Sequence, residues 1–188
     1  MEDKIIYQLK VTLRGTRPPI WRRVRVASDV TLYRLNDILQ TVMGWTNSHL
    51  HHFRAGGTFY GTPDPEFGFE IHNEKKFRLG DVLRRPKARM VYEYDFGDGW
   101  LHDVVLEKVT AAVPGERYPV VVAGKRRCPP EDVGGVGGYY DFLEAMADPK
   151  HPEHENRREW WGESFDAEAF DMQDVNAALW GRKVWRPV

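Results

Sequence analysis

The sequence has little cysteine and no long apolar segment. Its 188 residues include one cysteine, Cys128, so a disulfide within the chain is excluded and a reducing compartment is expected. No run reaches the apolar length that crosses a bilayer, and the start, MEDKIIYQLK, lacks the basic-then-apolar order of a signal peptide. We therefore expect a cytoplasmic protein that does not contact a membrane.

Several well-known catalytic motifs are also missing. The sequence contains no G-x-S-x-G, H-E-x-x-H or Walker pattern, so it offers no support for a nucleophilic hydrolase, a zincin or an NTPase. Hydrophobic residues make up 41% of the chain and aromatic residues 13%, which is ample material for a core. We expect a single domain over 1–188, with an α+β sheet core in 1–125 and a loop and helical extension, 126–188, packed on it.

The net charge of −1 conceals an uneven distribution. Residues 1–60 carry nine basic side chains against four acidic ones, whereas residues 129–180 carry three basic against thirteen acidic. A basic front can bind phosphate or an acidic partner, or the two halves can attract each other within one fold. We favour the second interpretation.

Local patterns predict the order of the secondary structure. Alternating apolar residues predict strands at Ile5 to Leu13 and Ile20 to Ala27, and a helical stripe predicts a helix that Thr31 caps and Gly44 ends. Further predicted strands are HLHHFRA, then GTFYG with FGFEI as one strand broken by TPDP, then residues 90–96, 100–109 and 118–123. A helix that ends at Pro149 and a last helix from Asp166 to Leu179 complete the chain. This order indicates an α+β fold with a mixed or mostly antiparallel sheet and C-terminal helices. The early strand-strand-helix-strand order resembles one half of a β-grasp fold, so that the N-terminal half is expected, by analogy, to be β-grasp-like.

The stretch YDFGDGWLHDVVLE concentrates ionisable residues at a predicted hairpin tip. A two-residue turn at Asp98-Gly99 places Asp95 directly opposite His102, and the nearby carboxylate raises the pKa of the imidazole unless a metal displaces the proton. A three-residue loop instead places Tyr94 opposite His102. Asp95 and His102 are thus either candidate catalytic residues or a structural hydrogen-bonded pair.

Two more groups of residues offer metal-ligand chemistry. CPPED places Cys128, Glu131 and Asp132 in a short loop, although its spacing matches no standard zinc signature. His49 and His51 have the His-x-His spacing that projects two rings from one face of a strand, while His52 faces the other way. We favour the alternative interpretation, a mixed and half-exposed strand.

Six blocks of sequence together resemble one family, that of the plasmid pRiA4b ORF-3-like proteins. In chain order they are PPIWRRVRV, TLYRLNDILQTVMGW, HLHHF, YEYDFGDGWLHDVVLE, CPPEDVGGVGGYYDFLEAM and DVNAALW. The resemblance covers nearly the whole chain and implies an association with mobile elements, but it brings no established activity. It marks DFGDxWxH and CPPEDxGG as family blocks, which suggests that these two blocks meet in space.

We therefore predict one composite pocket between the hairpin and the CPPED loop, which binds a divalent metal ion or a polar ligand. The predicted pocket residues are Asp95, Asp98, Trp100, His102, Glu131, Asp132 and Tyr139. The predicted metal ligands are drawn from Asp95, Asp98, His102, Glu131, Asp132 and Cys128.

Three functions remain open at this point, and the sequence does not decide whether the protein is an enzyme. The first is an accessory module that binds a small polar ligand or a protein. The second is a metal-dependent hydrolase of phosphoesters, with His102 as acid or base. The third, ranked last because of the balanced net charge, is nucleic-acid binding through a basic surface made of Arg14, Arg17, Arg22, Arg23 and Arg25.

Overall fold

A computed structural model of the chain describes residues 4–65, 68–162 and 164–181. The strands are β1 (Ile5–Leu13), β2 (Trp21–Ala27), β3 (His51–Ala55), β4 (Thr58–Gly61), β5 (Ile71–Asn73), β6 (Arg89–Tyr94), β7 (Trp100–Ala111) and β8 (Val120–Lys125). The helices are α1 (Leu32–Met43), α2 (Leu79–Val82), α3 (Gly135–Ala147), α4 (His154–Trp161) and α5 (Met172–Leu179). None of the helices within these ranges combines the length and apolarity needed to cross a membrane.

The eight strands form one mixed sheet in the order β5-β4-β3-β6-β7-β1-β2-β8. Neighbouring strands are antiparallel except for β4 and β5, which are parallel. GTFYG and FGFEI were predicted as one strand, but GTFYG supplies β4, whereas only Ile71 of FGFEI lies in the separate strand β5, because Pro63 and Pro65 cannot continue a ladder. Phe67, the first residue of FGFEI, lies outside the described residues. The predicted α+β class with a mixed sheet is confirmed.

The first hairpin and α1 form where the sequence predicts them, because their signals are local. Thr31 accepts a hydrogen bond from the Arg34 N–H at 3.2 Å, and Gly44 ends α1 in the left-handed conformation with φ 93°. The buried stripe of α1 belongs to the same core as one face of β1, β2, β6 and β7. This packing leaves the C-terminal end of α1 beside the segment that leads to β3.

The C-terminal part differs from the prediction in two ways. The last helix begins at Met172 rather than at Asp166, because Asp171 caps it by accepting hydrogen bonds from the Gln173 and Asp174 N–H groups. The polar helix α4 was not predicted, since it has little apolar periodicity. Helix α5 lies on the edge strand β8, where the Asn176 side chain pairs with both backbone groups of Val121.

Candidate functional site

The hairpin between β6 and β7 has a longer turn than a two-residue one. Tyr94 pairs with Trp100 and Tyr92 pairs with His102, so residues 95–99 form a five-residue loop, here called the tip. Asp95 adopts a left-handed conformation with φ 56°, and its carbonyl accepts a hydrogen bond from the Gly99 N–H at 2.6 Å. The predicted opposition of Asp95 and His102 is therefore wrong.

Because of this shift in pairing, the side chain of His102 lies in the core. Its side chain is fully buried, and its ring packs against Trp45 and Tyr92 with centroids 5.2 and 5.4 Å apart. Desolvation lowers the pKa of His102 to about 4, against the predicted rise, because no carboxylate replaces the lost water. A register with Asp95 opposite His102 would put Tyr92 on the other face of the sheet from His102, whereas the observed pairing puts both on the buried face.

Two other predicted pocket residues are buried as well. Trp100 is fully buried and its ring stacks on Trp45 with centroids 5.8 Å apart. Tyr139 is 1% exposed, and burial raises the pKa of its hydroxyl to about 12. Neither ring is an accessible wall of a pocket, because both lie inside the core.

The tip nevertheless contacts the segment CPPEDVGG, residues 128–135, here called the motif loop. The Gly134 N–H donates to Asp98 Oδ2 at 3.2 Å. A Cβ atom at Gly135 would lie 2.5 Å from the Asp98 carbonyl oxygen, so glycine permits this close approach. The two blocks predicted to meet are in contact through the backbone of one and a carboxylate of the other.

His49 is the histidine that reaches the acidic residues at this junction. Its Nε2 lies 3.1 Å from Asp132 Oδ1 and 3.7 Å from Asp95 Oδ2. Within the described ranges, His49, Asp95 and Asp132 are the one set of His, Cys, Asp or Glu side chains whose ligand atoms are grouped within 4.8 Å. The predicted metal ligands Asp98, His102, Glu131 and Cys128 do not belong to this set.

The three neighbouring histidines separate because β3 begins only at His51. His49 lies before the strand, whereas His51 pairs with Glu74 at 2.9 Å and His52 with Glu93 at 3.1 Å. The predicted His-x-His projection from one strand face is thus wrong. The only sequence signal that could have indicated His49 was its position just before a strand that pairs with the hairpin. No local sequence pattern predicts that His49 approaches Asp132.

Glu131 is held by three hydrogen bonds and is not part of the His49 group. It accepts from the Thr46 N–H at 3.1 Å, from the Thr46 hydroxyl and from the Tyr94 hydroxyl. Burial and the adjacent carboxylate both raise the pKa of Tyr94, so the hydroxyl stays protonated and donates a hydrogen bond to Glu131. Hydrogen bonds therefore attach the motif loop both to the segment before β3 and to the end of β6.

Cys128 belongs to the buried side of the motif loop. Its Sγ lies 3.3 Å from Arg22 Nη2 and 3.8 Å from Met43 Sδ. Burial raises the pKa of the thiol, which keeps it protonated in spite of the nearby guanidinium. This environment is that of a packed cysteine and not of a metal ligand.

A cleft of about 480 Å³ opens on the other side of the motif loop. Its walls include Cys128 to Glu131 and four aromatic rings, those of Trp45, Trp160, Trp161 and Phe170. The Trp45 ring N–H donates to the Pro129 carbonyl at 3.0 Å, which fixes the ring against the motif loop. The sequence prediction missed this cleft, because its walls come from α1, the motif loop, α4 and the start of α5.

Arg22 closes the inner end of the cleft as a structural cation. Its guanidinium donates to the carbonyl groups of four residues and stacks on Phe170 at 4.1 Å. The four acceptors are Trp21, Val42, Lys125 and Arg126. Burial lowers the pKa of Arg22, and the four carbonyl dipoles replace the water that the cation has lost.

The predicted basic surface is largely neutralised. Arg14 pairs with Asp103 at 2.6 Å, Arg23 with Glu107 at 2.6 Å and Arg25 with Glu116 at 3.0 Å, while Arg22 is buried. Arg17 donates its backbone N–H to the Tyr140 hydroxyl at the edge of the same region. Most of the arginines predicted to contact nucleic acid therefore form ion pairs or hydrogen bonds within the fold.

Comparison with known proteins agrees with the resemblance. The family model described as "Plasmid pRiA4b ORF-3-like protein" matches residues 5–174, a range that includes the tip, the motif loop and the start of α5. The "Uncharacterized protein y4hQ" of Sinorhizobium fredii (strain NBRC 101917 / NGR234) is 41% identical over 189 residues, which cover 96% of this chain and 97% of that protein. A crystal structure of a protein of unknown function, MM3350 from Methanosarcina mazei Go1, is similar with a TM-score of 0.82 and 38% identity, and the match covers 92% of this chain and 98% of that one.

Proposed function

The chain belongs to the plasmid pRiA4b ORF-3-like family. Since the motif loop forms one wall of the cleft with the four aromatic rings, we propose that the protein is an accessory module that binds a small organic cation in this cleft. The observation that carries the proposal is the cleft itself. Its volume of about 480 Å³ lies in the range of sites for small molecules. Aromatic walls with a few polar groups are typical of such sites.

The charges around the cleft favour a cationic ligand. Glu131, Asp171 and Asp174 line it, and none of them forms a salt bridge with any described residue. The lining also contains two arginines, Arg22 stacked on Phe170 and Arg127 stacked on Trp161 and Phe165, so the carboxylates outnumber the cations by three to two. A cation that enters the cleft gains from both the carboxylates and the aromatic faces.

The competing functions have less support. A hydrolase with His102 as acid or base requires that this ring reach the substrate, but the ring is fully buried. Nucleic-acid binding requires free arginines, and three of the five candidates are paired with carboxylates. Ligand binding in the cleft depends on neither.

The proposal is tested with two cations, each compared with an isostere that carries one positive charge fewer. Choline is compared with 3,3-dimethylbutan-1-ol, and arginine methyl ester with citrulline methyl ester, by isothermal titration calorimetry on the full chain. We expect at least one cation to bind about tenfold more tightly than its isostere, the order of magnitude of cation–aromatic attraction. If neither cation binds more tightly than its isostere, the proposed function is wrong.

A matched pair of variants connects binding with the cleft. Asp174→Asn removes one carboxylate of the lining and should weaken binding of the cation about threefold, as expected for a partly solvated charge. Asp141→Asn removes an exposed carboxylate of α3 that lies outside the lining and should leave binding unchanged. If both variants changed the affinity for the cation equally, the cation would bind outside the cleft.

A further inference from the structure

Three side chains from separate segments converge on one point between the tip and the motif loop. His49 precedes β3, Asp95 begins the tip and Asp132 lies in the motif loop. The His49 Nε2 atom is 3.1 Å from Asp132 Oδ1 and 3.7 Å from Asp95 Oδ2. This group is distinct from the cleft, whose lining includes none of these three residues.

One buried polar atom in this group, Nε2 of His49, lacks a hydrogen-bond partner among the described residues. The His49 side chain is 30% exposed, but its Nε2 atom is shielded from solvent and makes no hydrogen bond, although Asp132 Oδ1 lies 3.1 Å away. The Asp95 side chain is 9% exposed, and its Oδ2 faces His49 from beyond hydrogen-bond distance. A direct hydrogen bond would bring an oxygen onto the axis of the ring nitrogen, whereas a shared ion occupies that axis and leaves the oxygens beside it.

We propose that His49, Asp95 and Asp132 form a binding site for a divalent cation of the zinc or manganese class. One imidazole nitrogen and two carboxylate oxygens are ligands that these ions accept. Ligand atoms bound at about 2.1 Å to one ion lie roughly 3.0 to 3.4 Å apart, and the two observed distances lie within or near this range. Three protein ligands leave further coordination positions for water or a second ligand.

The surroundings hold two of the three ligands, His49 and Asp95, in place. Asp95 Oδ1 accepts the N–H groups of Gly97 and Asp98 at 3.0 and 3.3 Å, so that Oδ2 is the oxygen directed at His49. The backbone N–H of His49 donates to the Tyr94 hydroxyl at 3.3 Å, and the Asp95 N–H donates to the Leu50 carbonyl at 2.9 Å. His49 and Asp95 are therefore positioned before any ion binds, which lowers the cost of binding, while the exposed Asp132 side chain completes the site.

The test is titration of the chelator-treated full chain with ZnCl₂ and, separately, with MnCl₂ by isothermal titration calorimetry. We expect one ion per chain for at least one of the two metals, together with a higher melting temperature in its presence, because the ion binds the folded state. Disappearance of the free Mn²⁺ resonance in electron paramagnetic resonance gives an independent measure of binding. If neither ion binds, the proposal is wrong and the group is only a histidine paired with carboxylates.

Variants locate the ion. Asp132→Asn keeps the size of the side chain and suits the left-handed backbone at φ 59°, which asparagine also tolerates. It should weaken metal binding by at least about tenfold. His49→Gln should have a similar effect, whereas His72→Gln, a change in an exposed histidine outside the group, should have none. Metal binding that survives both site variants would contradict the proposal.

The two proposals fail separately. Cation binding in the cleft is measured on the chelator-treated protein, and metal binding is measured without choline or arginine ester. Loss of metal binding in Asp132→Asn with unchanged affinity for the organic cation is the expected pattern, since Asp132 does not line the cleft.

Discussion

The stem of the β6–β7 hairpin and its tip both carry ionisable residues but place them in different environments. In the stem, Trp100 and His102 are fully buried among aromatic rings, whereas the tip places Asp95 and Asp98 against another loop. The family block DFGDxWxH therefore divides into a half that packs the core and a half that contacts the motif loop. A histidine within a polar motif is thus not in itself evidence of a chemical site, because pairing in the sheet decides which face it occupies.

The largest expected effect tests the stem. Trp100→Ala should lower the free energy of unfolding by about 3 to 5 kcal/mol, because it leaves a cavity beside Trp45 in the core. Urea unfolding followed by circular dichroism measures the change. Leu101→Ala, the neighbouring half-exposed position, is the control and should cost clearly less. Equal costs at both positions would contradict the assignment of the buried face.

The next effect concerns pH and His102. The pKa of His102 is about 4 in the folded chain and near 6.5 when unfolded, so the unfolded state binds the proton first as the pH falls. Its contribution to stability is complete above pH 6.5 and is lost as the pH falls from 6.5 towards 4, amounting to about 3 kcal/mol. Unfolding free energies at pH 7 and pH 4.5 should therefore differ less in His102→Phe than in the wild type. A variant with an unchanged pH slope would show that His102 does not titrate in this way.

The smallest effect tests the tip. Asp98→Ala removes the acceptor for the Gly134 N–H and should cost about 1 kcal/mol, while Asp98→Asn keeps an acceptor oxygen and should cost less. Urea unfolding of the two variants under identical conditions gives the comparison. A loss as large as that of Trp100→Ala would mean that the tip is as important to the core as the stem.

Local signals account for the parts of the fold that could be predicted. The helix α1 carries a cap at Thr31, an apolar stripe and a terminal Gly44 within its own sequence, and the first hairpin carries two alternating strands around a breaker segment. The start of α5 was missed because Asp166 and Asp171 both have the chemistry of a helix cap. Contacts from distant residues keep residues 166–170 out of the helix, since Arg126 pairs with Glu168 at 2.7 Å and Arg22 stacks on Phe170.

The candidate site was predictable only in part. The contact between the two motif blocks followed from their joint occurrence in the family, but the histidine that joins them did not. A two-residue turn would place Asp95 opposite His102, whereas in the structure Tyr92 lies opposite His102. The register is thus shifted by an odd number of residues, and such a shift moves every side chain to the other face of the sheet. His49 could not be selected by spacing, because its partner Asp132 is far away in the chain and approaches only through the fold.

The family, the α+β class and the helix α1 were determined by the sequence alone, because periodicity, caps and motif order are properties of neighbouring residues. The strand register, the burial of His102, the His49 group and the aromatic cleft were decided only by the tertiary structure. Each of these features depends on which distant segments pack together, and packing decides which polar groups lose water and which remain able to bind a ligand.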